Sequence, residues 1–400
     1  MKKLFVLFIA LLMVISLSAC NKSTAYNFTY FDYMDTMISI SVYVENEERA
    51  NELNDAVESI YEKYHELTNN YGGLSLDSPY LTNIYEINQT FDEDIEIDPE
   101  LYELLVRTEE IKTMTNGYFD VSIGKIIDAW KEVILNEEDG YIFNEIPQEV
   151  YENVIAQIQG IAIVEEPFIL SENAGKYYIR LLDEDVKIDL GAFAKGYATQ
   201  LAYDYLMSDD VTYFSISAGS SSISVGENQN RDTGLFHISL ANPVKTGSTD
   251  RTYGMIYVQN IGINTSGNYE QYALYQGLRY HHIISPKTKM PMQYYHTVTI
   301  LGHDAGLLDA FSTALFSMPS TEFETFMNQY QEIYQLEVIR FNYDETVSTF
   351  LQSTVFEDTR PWCNKWFSEN VIFCWQVCCL SSLGQSILPF VYSHFKKMHL

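Results

Sequence analysis

Strand-like and helical residue patterns alternate through most of this chain, and this alternation restricts the fold class more than any other feature. Segment 25–45, AYNFTYFDYMDTMISISVYVE, alternates as strands do and is rich in aromatic and β-branched residues. Residues 47–73 then show helical periodicity and end at a glycine pair. We find no internal repeat and no Pro/Ser-rich linker. We therefore predict one mixed α/β (α+β) domain.

The remaining segments continue this mixed order. The patterns predict a helix at 99–116, a strand-like start that becomes helical at 118–134, and a hairpin at 176–189. Segment 187–202, KIDLGAFAKGYATQLA, reads as a short apolar strand, a glycine turn and a helix. Strands are predicted within 211–226, 235–244, 254–267 and 279–292, and a strand, a turn and a helix within 296–319.

The first twenty residues, MKKLFVLFIALLMVISLSAC, have the pattern of a secretory signal. Small residues directly before Cys20 resemble a bacterial lipobox, so we expect a signal peptide at 1–19 and a lipidated linker at 20–27. A transmembrane anchor and a plain signal peptide are the alternatives. The expected location is the cell membrane, on its extracytoplasmic face. Between Cys20 and residue 354 there is no cysteine, so the exported domain relies on its core rather than on disulfides.

Charge separates the chain into a strongly acidic part and a different tail. The leader holds two lysines, and the last 46 residues hold four basic and three acidic residues; what remains has 18 basic and 52 acidic residues, a net charge of −34. This charge argues against binding nucleic acid or an anionic surface. The tail at 355–400 contains four of the five cysteines without paired C-x-x-C spacing, so we assign it neither a zinc site nor a function.

The spacing of Gly191 and Gly196 imitates a P-loop, but the chemistry does not. A P-loop needs Lys and Ser or Thr directly after the second glycine, whereas Lys195 precedes Gly196 and Tyr197 follows it. The remaining reading is a turn in which Asp189 and Lys195 can contact a polar ligand. A turn whose glycines only relieve crowding is the alternative.

A second candidate site is LLDAFSTALF, residues 307–316. Asp309 and Thr313 lie four residues apart on a predicted helix and so share a face. A carboxylate beside a hydroxyl is a partial site for Mg²⁺, although an Asp near a helix start also serves the helix dipole. The adjacent His281 and His282 point to opposite faces of a strand, and no ligand spacing supports zinc.

Seven segments follow one another in an order that resembles the ApbE family of flavin transferases, over roughly residues 28–350. They are MDTM (34–37), GYFDVSIGKIIDAW (117–130), DLGAFAKGYA (189–198), SAGSSSISVG (217–226), TSGNYEQ (265–271), HIISPKT (282–288) and LLDAFSTALF (307–316). The resemblance implies a single ApbE-like (T-fold-like) domain at 28–354. It also implies a Mg²⁺-dependent enzyme that moves FMN from FAD onto a Thr or Ser hydroxyl of an acceptor protein and releases AMP. Acceptors in the family are redox-complex subunits or extracellular electron-transfer proteins.

The same resemblance implies roles for single residues. Asp309, Thr313 and the backbone carbonyl of Ala192 would hold the metal, and His282 would transfer a proton. The positions that would contact FAD are Met34, Tyr71, Tyr118, Phe119, Asp120, Asp189 and Lys195.

Four positions depart from the family pattern. The family's H-x-x-D-P-x-T-G has Ser285 and Lys289 in place of its aspartate and glycine, and its M-G-T has Asp35 in place of glycine. The family's usual Gly-Gly appears here as Gly219-Ser220. These departures leave two alternatives to the transferase. One is an FAD pyrophosphatase that gives FMN and AMP, and the other is a non-catalytic extracytoplasmic FAD-binding lipoprotein.

Overall fold

A computed structural model describes residues 23–134, 145–244 and 251–360. The signal peptide, the lipidation at Cys20 and residues 361–400 of the tail lie outside the described residues. Within the described ranges, no helix is both long enough and apolar enough to cross a membrane.

Helices and strands are mixed along the chain, which confirms the predicted fold class. The helices are α1 Glu47–Thr68, α2 Ile84–Ile87, α3 Pro99–Met114, α4 Gly124–Ile134, α5 Gln148–Gly160, α6 Ala194–Ser208, α7 Ala305–Ser317 and α8 Ser320–Tyr334. The strands are β1 Thr24–Tyr30, β2 Ile38–Val44, β3 Ile95–Ile97, β4 Phe168–Asn173, β5 Lys176–Leu181, β6 Phe214–Ala218, β7 Ser222–Val225, β8 Phe236–Ala241, β9 Thr252–Val258, β10 Ile261–Gly267, β11 Tyr272–Tyr275, β12 Leu278–His281, β13 Tyr295–Gly302, β14 Glu337–Asn342, β15 Val347–Phe350 and β16 Val355–Asp358.

An eight-stranded sheet in the order β1-β2-β6-β7-β10-β13-β14-β15 forms the frame of the larger unit. Its neighbouring strands are antiparallel throughout. Helix α7 packs on β10 and β13, helix α6 packs on β6 and β7, and α1 packs on α6. Every residue of β13 and nearly every residue of α7 is buried. These two elements therefore lie at the centre of the core.

Two helices of this layer, α1 and α7, begin where a polar side chain accepts a hydrogen bond from a free backbone N–H. Asn46 accepts a hydrogen bond from the Arg49 N–H at the start of α1, and Asp304 accepts one from the Leu307 N–H at the start of α7. In α1 the buried residues recur every three or four positions, so one face of the helix enters the core. They are Ala50, Leu53, Val57, Tyr61, Tyr64 and Leu67.

A second apolar cluster joins α4, α5 and the β11–β12 hairpin. At its centre the Trp130 ring stacks on Tyr280 at a centroid distance of 5.4 Å, and its Nε1–H donates to the Lys289 carbonyl at 2.9 Å. Tyr151 stacks on Tyr275 at 3.9 Å. This cluster fixes α4, whose last turns face the candidate site.

Two local predictions are wrong. The hairpin comprises β4 and β5 and turns at Ala174 and Gly175, both at positive φ, so it ends before the predicted 176–189 segment does. The predicted strand at the start of 187–202 is only an isolated bridge between Ile123 and Lys187. Lys187 and Asp189 pair with the backbone of segment 121–124. Ile188 is paired with a side chain, because the Asn88 amide donates to the Ile188 carbonyl and accepts from the Ile188 N–H.

Two further predicted strands differ from the structure. The strand-like start of 118–134 forms no regular strand, and the strand predicted within 279–292 is shorter, because it ends at His281. In addition, β1 begins at Thr24, inside the predicted 20–27 linker, and pairs with β2 along its full length.

The chain divides into two compact units. Among the described residues, the first comprises those within 23–236 and 258–354, and the second comprises those within 237–257 and 355–360. In the second unit β9 pairs with β16 in antiparallel register, from Tyr257 opposite Val355 to Gly254 opposite Asp358. The described chain is therefore structured for several residues beyond position 354, where we predicted the end of the domain.

Gly196 permits the close contact of α6 with α7. A Cβ atom at this position would lie 2.3 Å from the Ala305 carbonyl oxygen and 2.5 Å from the Asp309 Cβ. No side chain fits there without moving a helix. The glycine that we first compared with a P-loop glycine is thus required for helix packing.

We expect Gly196→Ala to lower the free energy of unfolding by about 1–3 kcal/mol, because it overpacks a buried helix contact. Gly160→Ala is the matched control, since a Cβ on this helical glycine would meet no atom within 4 Å. The control should leave the free energy unchanged or raise it by up to about 1 kcal/mol. Urea unfolding of both variants measures the difference, and equal effects would contradict the packing role.

Candidate functional site

The contact between α6 and α7 brings a backbone N–H of one helix to a carboxylate of the other. The Gly196 N–H donates to Asp309 Oδ2 at 2.9 Å, across the helix interface. An N–H at this place in a regular helix would donate to the Ala192 carbonyl, four residues earlier. Within the described ranges, the Ala192 carbonyl accepts no hydrogen bond from the backbone or a side chain. This oxygen is thus available to a ligand.

Asp309 is a buried carboxylate whose charge is only partly compensated. Burial is the strongest influence and raises its pKa, while the Lys195 charge, the Gly196 N–H and the Asn264 side chain lower it less. One turn further along α7, the Thr313 hydroxyl lies 3.4 Å from Ser266 Oγ. The predicted common face of Asp309 and Thr313 on one helix is confirmed.

Asp189 is also buried, but it is held as an anion. Its Oδ1 accepts from the Gly191 N–H at 2.9 Å, and its Oδ2 lies 3.3 Å from Asn70 Nδ2 and 3.2 Å from Lys131 Nζ. Burial alone would raise the pKa of Asp189; Lys131, the Gly191 N–H and Lys187 together outweigh it, and the pKa is lowered.

Lys195 and His282 lie near these carboxylates. Lys195 Nζ donates to the Gly191 carbonyl at 2.8 Å, and its charge lowers the pKa values of both Asp309 and His282. Burial is the largest cause of the low pKa of His282, which is about 4, so the ring is neutral at physiological pH. Its Nδ1 faces the Gln271 carbonyl at 3.4 Å, which favours the tautomer protonated on Nδ1 and leaves Nε2 as an acceptor.

The neighbouring His281 serves the core. Its Nε2 lies 2.9 Å from the Met292 carbonyl, its ring packs against Phe316, and burial lowers its pKa to about 3. The two histidines have different partners, but the strand ends at His281, so their placement on opposite faces of a strand stays a prediction.

The loop that carries Met34 has an unusual backbone. Met34 and Asp35 both have positive φ, 55° and 49°, and the Met34 N–H donates to His65 Nδ1 at 3.0 Å. Left-handed backbone favours glycine, and Asp is among the residues that tolerate it best. Asp35 can therefore stand where the family pattern has glycine.

Segment 118–120 lies beside the Asp189 turn, because the Asp189 N–H donates to the Val121 carbonyl at 2.8 Å. Tyr118 is buried beside Lys287, whose Nζ lies 5.6 Å from the ring centre. Phe119 is buried against Phe193, and Asp120 pairs with Lys112 at 3.0 Å. The flavin contacts expected of Tyr118, Phe119 and Asp120 stay predictions.

The two departures in the 282–289 motif have different structural consequences. The Ser285 side chain is buried, and its backbone closes a turn by accepting from the Lys289 N–H at 2.8 Å. Lys289 has a φ of 61° in the position where the family has glycine. Its Nζ donates to the carbonyls of Ile158 and Ile161 at the end of α5, at 3.2 and 2.6 Å. Contact with a helix C-terminus offsets the backbone strain.

The structure thus brings Asp189, Ala192, Lys195, His282 and Asp309 into one region of the larger unit. It adds residues that we did not predict, namely Asn70, Asn88 and Lys131, which hold the Asp189 turn. Within the described ranges no three His, Cys, Asp or Glu side chains form a metal cluster. The predicted metal ligands are one carboxylate, one hydroxyl and one backbone carbonyl. Such a site differs from a cluster of three His, Cys, Asp or Glu side chains.

Residues 34–337 match the sequence model of the ApbE family. The chain belongs to the ApbE family. The ApbE match includes all the candidate site residues named above, from Met34 to Thr313.

Relatives with curated names agree with this assignment. A protein of Haemophilus influenzae named FAD:protein FMN transferase is 25% identical over 333 residues, which cover 79% of this chain and 87% of the relative. A protein of Rhodobacter capsulatus with the same name is 28% identical over 225 residues, which cover 56% of this chain. The chain spans only 39% of the length of that second relative.

Solved ApbE structures share the fold. The ApbE protein of Thermotoga maritima is 22% identical with a TM-score of 0.64, covering 81% of this chain and 96% of that protein. The flavin transferase ApbE of Vibrio cholerae is 20% identical with a TM-score of 0.61, covering 82% and 98%. These matches establish the fold of the chain as that of ApbE proteins.

We expect Asp309→Asn to stabilise the folded chain by about 0.5–2 kcal/mol at pH 7.5, as changes at strained functional sites often do. The folded-state pKa of Asp309 is raised, so its ionised form costs stability above that pKa, and the amide removes the cost. The difference between the two proteins should shrink as the pH falls through the folded-state pKa towards the unfolded value. Thermal unfolding in metal-free buffer between pH 4 and 8 measures it, and a variant less stable at pH 7.5 contradicts the electrostatic account.

Proposed function

We propose that this protein transfers FMN from FAD to a Thr or Ser hydroxyl of an acceptor protein and releases AMP. The observation that carries the proposal is the match of residues 34–337 to the ApbE family, together with the geometry at the α6–α7 contact. Relatives named FAD:protein FMN transferase support the same reaction.

The donors at the helix contact fit a hard divalent cation such as Mg²⁺. Asp309 supplies a buried carboxylate and Thr313 a hydroxyl, and Ala192 supplies a carbonyl that accepts no hydrogen bond from the described part of the chain. All three are oxygen ligands. When bound, Mg²⁺ would neutralise charge on the diphosphate oxygens of FAD. A carboxylate with a raised pKa stabilises an incoming cation, because the cation removes the cost of its buried charge.

In the proposed reaction the acceptor hydroxyl oxygen attacks the phosphorus of the FMN moiety. The bond from this phosphorus to the bridging oxygen breaks, and AMP leaves with that oxygen and its electron pair. Neutral His282 accepts the hydroxyl proton on Nε2. Lys195 adds a positive charge beside the site, which favours an anionic substrate on a chain of net charge −31.

We further propose that the protein acts as a lipoprotein outside the cytoplasmic membrane. The lipobox-like sequence before Cys20 supports this location. An acceptor in the same compartment, such as a redox-complex subunit or an electron-transfer protein, is then within reach.

The test incubates the purified protein with FAD, Mg²⁺ and an acceptor domain that carries a Thr or Ser site. We expect a covalent flavin adduct, visible by in-gel fluorescence and by intact mass, together with AMP in equal amount. Asp309→Ala should abolish nearly all turnover. Release of AMP without an adduct would contradict transfer and favour an FAD pyrophosphatase, and tight FAD binding with neither product would favour a non-catalytic binder. The changes at Ser285 and Lys289 are what favour these alternatives.

We expect His282→Gln to lower the rate of flavin transfer by about 10²–10⁴, the usual gain from a general base, while FAD binding is retained. The matched control is His303→Gln, because His303 is exposed on the loop before α7. Stopped-time assays of adduct formation compare the two. An equal rate of adduct formation in both variants would show that His282 does not accept the hydroxyl proton.

A further inference from the structure

Lys131 joins two residues that the family resemblance assigns to FAD but that lie far apart in sequence. It stands on the last turns of α4, a helix fixed by the Trp130 cluster. Its Nζ lies 3.2 Å from Asp189 Oδ2 and also donates to the Tyr71 hydroxyl. One ammonium group thus links the loop after α1 to the turn before α6.

The contact with Tyr71 is a hydrogen bond rather than a cation–π contact. Nζ lies 5.2 Å from the centre of the ring, but because it also donates to the hydroxyl, it lies at the phenol end and not over the face. Lys131 therefore covers neither face of the ring. The side chain is exposed, at 61% for the whole residue, and within the described ranges Lys131 is its one hydrogen-bond partner.

The charge of the Lys131 ammonium also acts on Asp189 and His282. Lys131 is the largest compensating influence on Asp189, and with Lys195 it is one of two lysines that lower the pKa of His282. Other lysines nearby have partners elsewhere, since Lys187 pairs with Asp128 at 2.6 Å.

We propose that Lys131 is a positioning residue of the FAD site, which fixes the Tyr71 ring and the Asp189 carboxylate relative to each other before FAD binds. The proposal rests on the proposed function, because Tyr71 and Asp189 contact FAD only if that function holds. Preorganisation lowers the entropy that the ligand must remove when it binds. Lys131 therefore acts on FAD affinity through Tyr71 and Asp189, and takes no part in proton transfer.

The experiment measures the Kd for FAD by flavin fluorescence quenching in the full chain, with Lys131→Met, Tyr71→Phe and the double variant. Each single change should weaken binding about tenfold, the loss expected of one hydrogen bond to a charged group. The double variant should bind much more tightly than the product of the two effects predicts, since both remove the same contact. Lys125→Met is the control, because Lys125 lies on the same helix and donates to the Glu184 carbonyl, outside the site.

Several outcomes overturn the proposal. Lys131→Met that binds FAD like the wild type, or effects that multiply in the double variant, shows that Lys131 does not act through Tyr71. A lower melting temperature with unchanged Kd shows a purely structural role. Tyr71→Phe alters only an exposed side chain, so it tests the contact even if Lys131→Met fails to fold. A wild-type chain that does not bind FAD overturns the proposed function as well, whereas a failure confined to the variants overturns this proposal alone.

Discussion

The hydrogen bond from the Gly196 N–H to Asp309 is the interaction on which the rest of the site depends. It requires α6 and α7 to approach so closely that only glycine fits at position 196. The same bond diverts an N–H from the Ala192 carbonyl and holds a carboxylate in a buried place. Packing on the central strands β10 and β13 fixes α7, so the core of the protein determines where these oxygens lie.

Two buried carboxylates of the region, Asp189 and Asp309, have pKa values shifted in opposite directions. Asp189 has a lysine, a backbone N–H and an amide around it, and its pKa is lowered. Asp309 has fewer compensating groups, and its pKa is raised. A chain of net charge −31 thus neutralises the Asp189 carboxylate with its own residues and compensates the Asp309 carboxylate only in part. Environments that push two such pKa values apart are typical of functional sites.

Much of this architecture could be predicted from sequence, but contacts made by single side chains could not. The periodicity of α1 and the strand–turn–helix of β13 and α7 are local patterns, and the structure confirms them. Segment 187–190 forms only a bridge to Ile123 on one side, and on the other side Asn88, a hundred residues earlier, pairs with the Ile188 backbone in place of a strand. No pattern in the sequence near Lys131 indicates its approach to Asp189. The spacing of Asp309 and Thr313 did indicate a shared face, whereas the free carbonyl of Ala192 depends on a contact between distant helices.

The most direct test of this account is the anomalous X-ray signal of Mn²⁺, used in place of Mg²⁺, in crystals of the protein grown with FAD. Both ions prefer oxygen ligands, so Mn²⁺ reports the position of the site. The account predicts an anomalous peak bounded by the Asp309 carboxylate, the Thr313 hydroxyl and the Ala192 carbonyl, with the Gly196–Asp309 hydrogen bond intact. A peak elsewhere, or FAD bound with no metal at the α6–α7 contact, would contradict it.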